Sequence, residues 1–501
     1  MLRAVLLATL AAAAAAAGDG VTSPRYMATC YYGTWAVYRP GLGKFDIEDF
    51  NPYLCTHGIY GFAGLDPNTN QIKSLDPWND LYDNYGKGGF IRFTNLKKLN
   101  PNFKAILAIG GWNEGSEKYS SMAADASKRA TFIQSCVQFL KTYNFDGLDM
   151  DWEYPAERGG QPIDKTDYAL LIKELKTAFE PEGLLLSAAV GPGKTTIDES
   201  YDLDIMAQYL DIFNVMAYDY HGAFDPFTGH VAPLYLSPQD LEPGHEAYQY
   251  FSVNFTVNYY IEGGVPPHKI AMGIPLYGRG FTLADRNQHG LYAPMSGGMP
   301  ACPYTRTAGV CGFNEICVYL DEGGWTSVRD PDQKAIYSYK DLLWVGYDDL
   351  ESINLKTQYI KDMDLGGSMV WSVETDDFRG LCGFGTTNPL MNAIWTSLNG
   401  DIPQPTPGPE PTGQPTDTPA TTEPPAPTAP PSHICKNPGL NPDPDRTCSP
   451  VFYACVWNGD HWEVTQEECA NGTVFDATAS TCIWSYESDE CDTAGHRGLR
   501  A

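Results

Sequence analysis

Short apolar runs recur along the first 400 residues of the chain, and the segments between them carry apolar residues at every third or fourth position. Eight of the runs have the length and content of buried β-strands: residues 28–34, 57–63, 104–111, 146–153, 184–191, 211–218, 269–276 and 366–373. Amphipathic helices are predicted most clearly at residues 127–142 and 167–179, where the three-to-four periodicity is sustained. Strands and helices therefore alternate through most of the chain.

Eight strands alternating with helices predict an α/β fold, the (β/α)8 TIM barrel. The alternation extends over about 370 residues, whereas such barrels typically need about 250, so insertions are expected. The interval between the seventh and eighth strands, roughly residues 280–360, is too long for one helix and predicts an inserted α+β lobe. Because this lobe belongs to a loop, we expect it to form one wall of a groove at the mouth of the barrel.

The two ends of the chain differ in composition from the barrel region, which we place at residues 18–400. Residues 1–17 combine Arg3 with an apolar run that ends in small residues, which indicates a signal peptide and a secreted, extracellular protein. Residues 401–432 are nearly all Pro, Thr, Gly and Ala and predict an extended linker, O-glycosylated on threonine. No later run reaches the roughly 18 apolar residues that a membrane span needs.

The last segment, residues 433–501, contains six cysteines: Cys435, Cys448, Cys455, Cys469, Cys482 and Cys491. A domain of this size depends on disulfides, so the segment predicts a small disulfide-rich β domain. Zinc binding is the competing interpretation, but the segment has no CxxC pair and the chain is predicted to be exported.

The chain is strongly acidic, with a formal net charge of −29. This charge argues against nucleic acid or an anionic membrane as a partner, because both are bound through basic patches. It favours a neutral or cationic partner. Asn254 and Asn471 lie in glycosylation sequons, NFT and NGT. We expect no cofactor, no metal ion and a monomeric protein.

The segment FDGLDMDWEYP, residues 145–155, concentrates carboxylates among apolar residues: Asp146, Asp149, Asp151 and Glu153. In a strand, the last three acids would share one face, and the apolar residues between them would take the other. Three acids on one wall cannot all ionise cheaply, so we expect at least one to retain its proton. A carboxyl protonated near neutral pH suits general acid catalysis. A solvated acidic strand edge and a calcium site are the alternative interpretations.

Six segments carry a family resemblance. The acidic segment matches the DxxDxDxE motif of glycoside hydrolase family 18, and residues 26–396 resemble the animal chitinases of that family. The other five matching segments occur in the same order: CYYGTWAVYRP, KAILAIGGWNEGS, MAYDYHG, GIPLYGRGF and GGSMVWSVETDDF. The tail resembles the peritrophin-type chitin-binding domain, carbohydrate-binding module family 14, in its cysteine spacing and in the segment CANGTVFDATASTC.

The resemblance implies a secreted, endo-acting chitinase that hydrolyses β-1,4-linked N-acetylglucosamine polymers with retention of configuration. In this family the N-acetyl group of the substrate is the nucleophile, an exception among glycosidases. The resemblance makes Glu153 the general acid and base. It assigns Asp151 to the acetamido nitrogen, with Asp149 behind it. It makes Tyr218 the residue that orients the acetamido carbonyl.

The resemblance also implies a set of substrate contacts: Trp371, Trp112, Trp35, Tyr31, Phe62, Met216, Asp219, Tyr277 and Arg279. Trp371 is expected to form the floor under a distorted sugar. Asp146, at the start of its strand, is expected to fix the backbone and take no part in the chemistry. In the tail, we expect four aromatic residues to stack on sugar rings: Tyr453, Trp457, Trp462 and Trp484. The expected partners are chitin and N-acetylglucosamine oligomers.

The cysteines of the barrel region are assigned through the resemblance as well. It implies that Cys30 pairs with Cys55 and Cys317 with Cys382. This leaves Cys302 and Cys311 as a pair in the inserted lobe, and Cys136 as a buried free thiol. For the tail it implies three further pairs: Cys435 with Cys455, Cys448 with Cys491, and Cys469 with Cys482. From sequence alone, fifteen pairings of six cysteines are possible.

Two other functions are compatible with the same fold. A non-catalytic chitin lectin would require a residue other than Glu at position 153. An endo-N-acetylglucosaminidase acting on glycoprotein glycans, or a lysozyme-like enzyme, would share the acids of the barrel. The chitin-binding resemblance of the tail and the tryptophans of the barrel favour a polymeric substrate over both.

Overall fold

The computed structural model describes residues 24–403 and parts of the C-terminal region: residues 439–443, 449, 451–457, 462–468, 473–476 and 481–484. The chain divides into two compact units, Met1–Pro407 and Gly408–Ala501. The predictions of a signal peptide at residues 1–17 and of a linker lie outside the described residues, apart from residues 401–403. Within the described part, no helix has the length and apolarity that crossing a membrane requires.

The first unit is built on a closed parallel barrel. Its strands begin with β1 (Met27–Gly33), β2 (His57–Asp66), β3 (Gln71–Ser74), β4 (Lys104–Gly110), β5 (Gly147–Asp151), β6 (Leu185–Val190), β7 (Ile212–Val215) and β8 (Ile270–Pro275). The barrel ends with the strand Gly367–Trp371, which pairs with both β8 and β1, while β1 also pairs with β2. Only β3 is antiparallel, forming a hairpin with β2. All eight predicted barrel strands are therefore present, and the TIM barrel prediction is confirmed.

The helices lie between these strands. They are α1 (Pro77–Asp80), α2 (Gly89–Thr94), α3 (Glu117–Ala123), α4 (Ala126–Thr142), α5 (Asp164–Phe179), α6 (Lys194–Ser200), α7 (Leu203–Tyr209), α8 (Val253–Glu262), α9 (Phe313–Asp321), α10 (Leu350–Asp362) and α11 (Pro389–Asn399). Helix α5 buries Tyr168, Leu171 and Leu175 at the predicted three-to-four spacing. The two amphipathic helices predicted from sequence thus correspond to α4 and α5.

An inserted lobe lies between β8 and the last barrel strand. It contains β9 (Tyr277–Leu283), β10 (Met295–Gly298), β11 (Val310–Gly312), β12 (Thr326–Asp330), β13 (Ala335–Lys340) and β14 (Leu343–Tyr347), together with α9. These strands form one antiparallel sheet, and the last barrel strand becomes β15 in chain order. The lobe starts and ends earlier than the sequence indicated, because Tyr277 already belongs to β9 and α10 already belongs to the barrel.

Three disulfides are described in the first unit. Cys30 is bonded to Cys55, with the two Cα atoms 6.0 Å apart, and thus links β1 to the segment before β2. The other two pairs are Cys302 with Cys311, and Cys317 with Cys382. Cys136 is a buried free thiol on α4. The Cys302–Cys311 disulfide lies within the lobe, and the Cys317–Cys382 disulfide links the lobe to the segment that follows β15.

The described residues of the second unit form two small antiparallel sheets. Strands β16 (Gly439–Pro442), β17 (Val451–Trp457) and β18 (Trp462–Glu468) form one sheet, and β19 (Thr473–Asp476) pairs with β20 (Thr481–Trp484). Tyr453 lies on β17 and is partly buried. Trp457 and Trp462 are paired in register, but their side chains and that of Trp484 lie outside the described part. The same holds for Asn471 and for the three predicted disulfides of the tail.

Candidate active site

The acidic row lies at the C-terminal end of β5 and on the loop that follows it. Asp149 and Asp151 are buried and point into the barrel, and Glu153 lies two residues beyond the end of the strand. The intervening Trp152 is 1% exposed and packs outward, with its ring 5.9 Å from Tyr119 and 5.4 Å from Tyr168. The alternation of the sequence thus places the acids at the mouth of the barrel, where TIM barrels carry their functional residues.

Asp149 is held by donors from three other strands. The Tyr31 hydroxyl donates to its Oδ2 at 2.6 Å, and the Ser187 hydroxyl and the Asn214 amide donate to its Oδ1 at 2.6 and 2.9 Å. Thr29 in turn donates to the Asn214 carbonyl oxygen at 2.9 Å, which fixes the orientation of the amide. These hydrogen bonds therefore hold the Asp149 carboxyl rigidly in place, and Asp149 supports the two acids that follow it, Asp151 and Glu153.

Asp151 differs from Asp149 in its hydrogen bonding. Its Oδ1 is buried and has no hydrogen-bond partner within the described part of the chain. Burial raises the pKa of Asp151 well above its usual value, and the charges of Glu153 and Asp149 raise it further. A buried carboxyl oxygen without a partner is costly, and a ligand that donates a hydrogen bond would remove that cost. Asp151 is thus available to accept a donor from a substrate.

Glu153 is partly buried, and this burial affects the pKa of its carboxyl. Burial raises its pKa to about 7; a hydrogen bond with Tyr154 and the charge of Arg158 oppose this rise, whereas the charge of Asp219 adds to it. Burial also raises the pKa of Asp149, although hydrogen bonds from Ser187, Tyr31 and Asn214 oppose the shift. The pKa values of all three acids are therefore raised, and Glu153 is the member of the row that is only partly buried.

Tyr218 lies on the segment that follows β7 and is 6% exposed. Its hydroxyl is 3.7 Å from the Met369 sulfur, a weak acceptor that leaves the hydroxyl free to bind a better one. Burial raises the pKa of this hydroxyl, and the neighbouring Tyr277 and Asp151 raise it further. Met216, two residues earlier, is also buried. The structure thus brings Tyr218 next to the acidic row.

Asp219 joins the barrel to the inserted lobe. The Tyr277 hydroxyl donates to its Oδ1 at 2.6 Å, and Arg279 donates from Nε at 2.7 Å and from Nη2 at 2.5 Å to its two carboxylate oxygens. Tyr277 and Arg279 are on β9, the first strand of the lobe. This paired contact between guanidinium and carboxylate fixes the direction of both side chains. The lobe therefore contributes two polar groups to the wall beside Tyr218.

Three aromatic rings, those of Trp371, Phe62 and Trp35, pack together and form an aromatic wall of the site. The Trp371 ring lies 6.0 Å from the Phe62 ring at an interplanar angle of 25°, and the Trp35 ring is stacked on Phe62 at 6.2 Å and 15°. Tyr31 reaches under Trp371, with ring centroids 5.5 Å apart. Trp35 is 43% exposed, so this cluster presents an apolar face to solvent. Such faces suit the apolar CH surfaces of sugar rings.

Trp112 lies on the segment that follows β4 and is 58% exposed. The Arg158 guanidinium lies 3.5 Å from the centroid of its ring. Nη1 of Arg158 also donates to the carbonyl oxygens of Trp112 and Glu153, at 2.8 and 2.9 Å. Arg158 thus covers one face of the Trp112 indole and links the orientation of this ring to the main chain at Glu153.

The remaining sequence-predicted residues lie away from this site. Asp146 accepts the Ala105 amide at 2.8 Å and pairs with Lys97, which ties the start of β5 to β4. Asn254 is in the first turn of α8, where its Oδ1 accepts the Tyr359 hydroxyl at 3.0 Å. Thr256, the third residue of this sequon, is fully buried. Glycosylation at Asn254 stays a prediction.

No metal centre is evident in the part of the chain that the structure describes. Within it, no three side chains of His, Cys, Asp or Glu are grouped so that they could hold a metal ion. Within the acidic row, both carboxyl oxygens of Asp149 already accept hydrogen bonds from Tyr31, Ser187 and Asn214. The arrangement can supply and remove protons and can bind an amide beside them.

Sequence reasoning missed several residues of the site. Ser187 and Asn214 are polar positions inside apolar strand runs, and this exception to the pattern is a usable signal for an inward-facing partner. Arg158 has no comparable signal. It lies on a loop in the left-handed backbone conformation, with φ of +51°, from which its guanidinium reaches Trp112 and the carbonyl of Glu153.

Comparison with known proteins assigns the chain to a family. Residues 27–376 match the sequence profile of the glycosyl hydrolases family 18. The chain belongs to this family. Residues 435–491 match the chitin binding Peritrophin-A domain. The family 18 match contains every residue described above for the acidic row, the lobe and the aromatic walls.

Similar family 18 proteins come from insects. The chain is 44% identical to probable chitinase 2 of Drosophila melanogaster over 391 residues, which are 75% of this chain and 78% of the relative. It is 42% identical to an endochitinase of Manduca sexta, over 77% of this chain and 69% of the relative. Among solved structures, the Ostrinia furnacalis Group IV chitinase in complex with allosamidin is 44% identical, with a TM-score of 0.71, and the match covers 74% of this chain and 98% of that one.

Proposed function

We propose that the protein is a secreted, endo-acting chitinase that hydrolyses the β-1,4 linkages of N-acetylglucosamine polymers with retention of configuration. The observation that carries this proposal is Glu153, a partly buried carboxyl with a pKa raised to about 7 at the C-terminal end of β5. The family 18 match and the chitinase relatives support the reaction class. The Peritrophin-A match supports chitin as the polymer.

In the first step Glu153 acts as general acid. Its proton passes to the glycosidic oxygen as the bond between this oxygen and the anomeric carbon breaks. The acetamido carbonyl oxygen of the same sugar attacks the anomeric carbon and forms a cyclic oxazolinium ion. Because the substrate supplies the nucleophile, a second carboxylate nucleophile is not needed.

Asp151 and Tyr218 position the acetamido group for this attack. Asp151 accepts the acetamido N–H with the oxygen that lacks a protein partner, and its carboxylate stabilises the cationic intermediate. Tyr218 donates its hydroxyl proton to the acetamido carbonyl oxygen, replacing its weak contact with Met369. Asp149 accepts the proton that Asp151 gives up when it becomes this carboxylate, and Asp149 is itself kept in place by Tyr31, Ser187 and Asn214.

In the second step Glu153, now a carboxylate, acts as general base. It takes a proton from a water molecule whose oxygen attacks the anomeric carbon, which opens the oxazolinium ring and restores the acetamido group. Two successive displacements at one carbon retain its configuration. The proton gained by Glu153 returns the enzyme to its initial state, ready for the next bond.

The walls of the opening bind the polymer around this centre. Trp371 forms the floor of the reacting subsite, next to Phe62, Trp35 and Tyr31. Met216 and Asp219 flank Tyr218, and Tyr277 and Arg279 contact the same sugar from the lobe. Trp112 receives the sugar on the leaving side. Aromatic planes and a few fixed polar groups are the usual composition of such sites.

The C-terminal unit tethers the enzyme to insoluble chitin. A bound tail keeps the barrel at a high effective concentration near the polymer surface. Its proposed sugar-binding aromatics are Tyr453, Trp457, Trp462 and Trp484. The protein works as a monomer in this account, because one barrel contains the acids, the tyrosine and the aromatic walls.

The proposal is tested by comparing the wild type with Glu153→Gln on colloidal chitin and on soluble N-acetylglucosamine oligomers. We expect hydrolysis by the wild type, loss of hydrolysis in the variant, and nearly unchanged chitin adsorption in both. Glu157→Gln, four residues later, is the matched control and should retain activity. Wild-type turnover by Glu153→Gln would refute the assignment of the acid. Adsorption without hydrolysis by the wild type would identify a lectin, and release of glycans from glycoproteins would identify an endo-N-acetylglucosaminidase.

A further inference from the structure

A buried carboxylate lies behind the aromatic wall and has no role in the chemistry described above. Glu374, three residues after the end of β15, is 0% exposed. Its Oε2 accepts the Gly33 amide at 3.1 Å, and its Oε1 accepts the Ser372 hydroxyl at 2.6 Å. Gly33 is the last residue of β1, and Ser372 directly follows Trp371. One carboxylate therefore joins the ends of two neighbouring barrel strands.

Arg39 completes this contact. Its Nη1 donates to the Glu374 carbonyl oxygen at 3.1 Å, and its Nη2 lies 3.5 Å from Oε1. The Asn314 side chain, from the inserted lobe, donates to the same carbonyl at 3.4 Å. A buried carboxylate is stable only when it is paired and hydrogen-bonded, and Glu374 satisfies both conditions. The segment after β1, the segment after β15 and the lobe thus meet at one residue.

The Glu374 carboxylate and the Trp35 ring both pack closely around Gly33. A Cβ atom added at Gly33 would lie 2.6 Å from Glu374 Oε1 and 2.7 Å from Trp35 Cζ2. The Trp35 ring lies 6.0 Å from the Trp371 ring, and both stack against Phe62. A movement of Glu374 would therefore change the relative placement of the two tryptophans.

We propose that Glu374, together with Arg39, is a positioning residue that fixes the distance and tilt between Trp35 and Trp371 and thereby sets how strongly the site favours long chains over short ones. The proposal rests on the proposed function in that it takes N-acetylglucosamine chains as the ligand. In the proposed function, a dimer bound across the scissile position places one sugar on Trp371 and the other on Trp112, whereas a hexamer also extends over Trp35. Only the long oligomer gains from a correct distance between the rings.

The test measures binding separately from hydrolysis. In a Glu153→Gln background, the dissociation constants of N-acetylglucosamine dimer and hexamer are measured by calorimetry, with and without Glu374→Gln. Glutamine keeps the shape but removes the charge opposite Arg39, and it cannot accept from Gly33 and Ser372 at the same time. We expect the hexamer to bind about tenfold more weakly and the dimer to change by less than twofold.

Two further variants make the test specific. Arg39→Met removes the partner from a less buried position and should reproduce the length-dependent loss. Asp376→Asn is the matched control. Asp376 is buried on the same segment as Glu374, but its carboxyl accepts hydrogen bonds from the amides of Leu390 and Met391, away from the aromatic rings. It should weaken dimer and hexamer binding equally or not at all.

Equal weakening of dimer and hexamer in Glu374→Gln and Arg39→Met, or no weakening in either, would overturn the proposal. The proposed function fails on a different observation, the absence of oligomer hydrolysis by the wild type. Since binding in the Glu153→Gln background does not require hydrolysis, the two failures are distinguishable.

Discussion

The guanidinium of Arg158 stacks on Trp112 at 3.5 Å and, through the same side chain, hydrogen-bonds the main-chain carbonyl of Glu153 at 2.9 Å. A single exposed side chain thus touches both the Trp112 ring and the backbone of the proposed acid. Its charge also opposes the rise in the Glu153 pKa. If Trp112 binds the leaving sugar as proposed, Arg158 links that binding to the protonation of Glu153.

Substitution of Arg158 by Gln tests this link. We expect KM for soluble oligomers to rise about two- to fivefold, because an exposed cation–π contact contributes roughly 0.5–1 kcal/mol. We also expect the alkaline limb of the pH profile to move to higher pH, since a positive charge near Glu153 has been removed. Arg158→Lys keeps the charge and should keep the wild-type limb. An unchanged KM and pH profile in Arg158→Gln would show that the two contacts do not act on the site.

The pH dependence of the wild type follows from the pKa of Glu153, raised by burial to about 7. The general acid must carry its proton, and the protonated fraction falls as the pH rises through the pKa. We expect kcat/KM for a soluble oligomer to decline tenfold per pH unit above about pH 7, because this parameter reports the free enzyme. A decline that begins near the ordinary glutamate pKa would contradict the burial argument.

Asp151→Asn tests the amide-binding role of Asp151. The variant keeps the shape but replaces one acceptor oxygen with a donor and removes the negative charge beside the cationic intermediate. We expect kcat to fall by about a hundredfold or more, in the range found when a preorganised electrostatic contact is removed. Ser187→Ala leaves Asp149 with two of its three donors and should cost less than about tenfold. A wild-type rate in Asp151→Asn would argue against substrate assistance.

Truncation after Asp401 separates the two units. The barrel unit retains the acids and the aromatic walls, so we expect its activity on soluble oligomers to stay within about twofold of that of the full chain. Its activity on crystalline chitin should fall about tenfold or more, because effective concentration at the surface is lost. The readout is the ratio of the two activities. Equal losses on both substrates would remove the tethering argument.

The fold could be predicted from sequence because of the burial pattern of a parallel barrel. Strands that are covered on both faces consist almost entirely of apolar residues, and all eight runs, from ATCYYGT to GGSMVWSV, correspond to barrel strands. Strand boundaries were less exact. Strand β5 ends at Asp151, so Glu153 lies on the following loop.

The candidate site could be predicted only in part. The acids stand out as charges inside an apolar strand, and Tyr218 and Trp371 were found through their motifs. Glu374 and Arg158 gain their roles from contacts between segments far apart in sequence, such as Glu374 with Gly33. Periodicity carries no information about such contacts.

Substrate assistance is measured most directly with aryl glycosides of N-acetylglucosamine disaccharide whose reacting acetamido group carries zero, one, two or three fluorine atoms. Fluorine weakens the carbonyl oxygen as a nucleophile and leaves the aryl leaving group unchanged. We predict that kcat/KM falls steeply with each added fluorine. Equal rates across the four substrates would contradict attack by the acetamido oxygen, and with it the roles given to Asp151 and Tyr218.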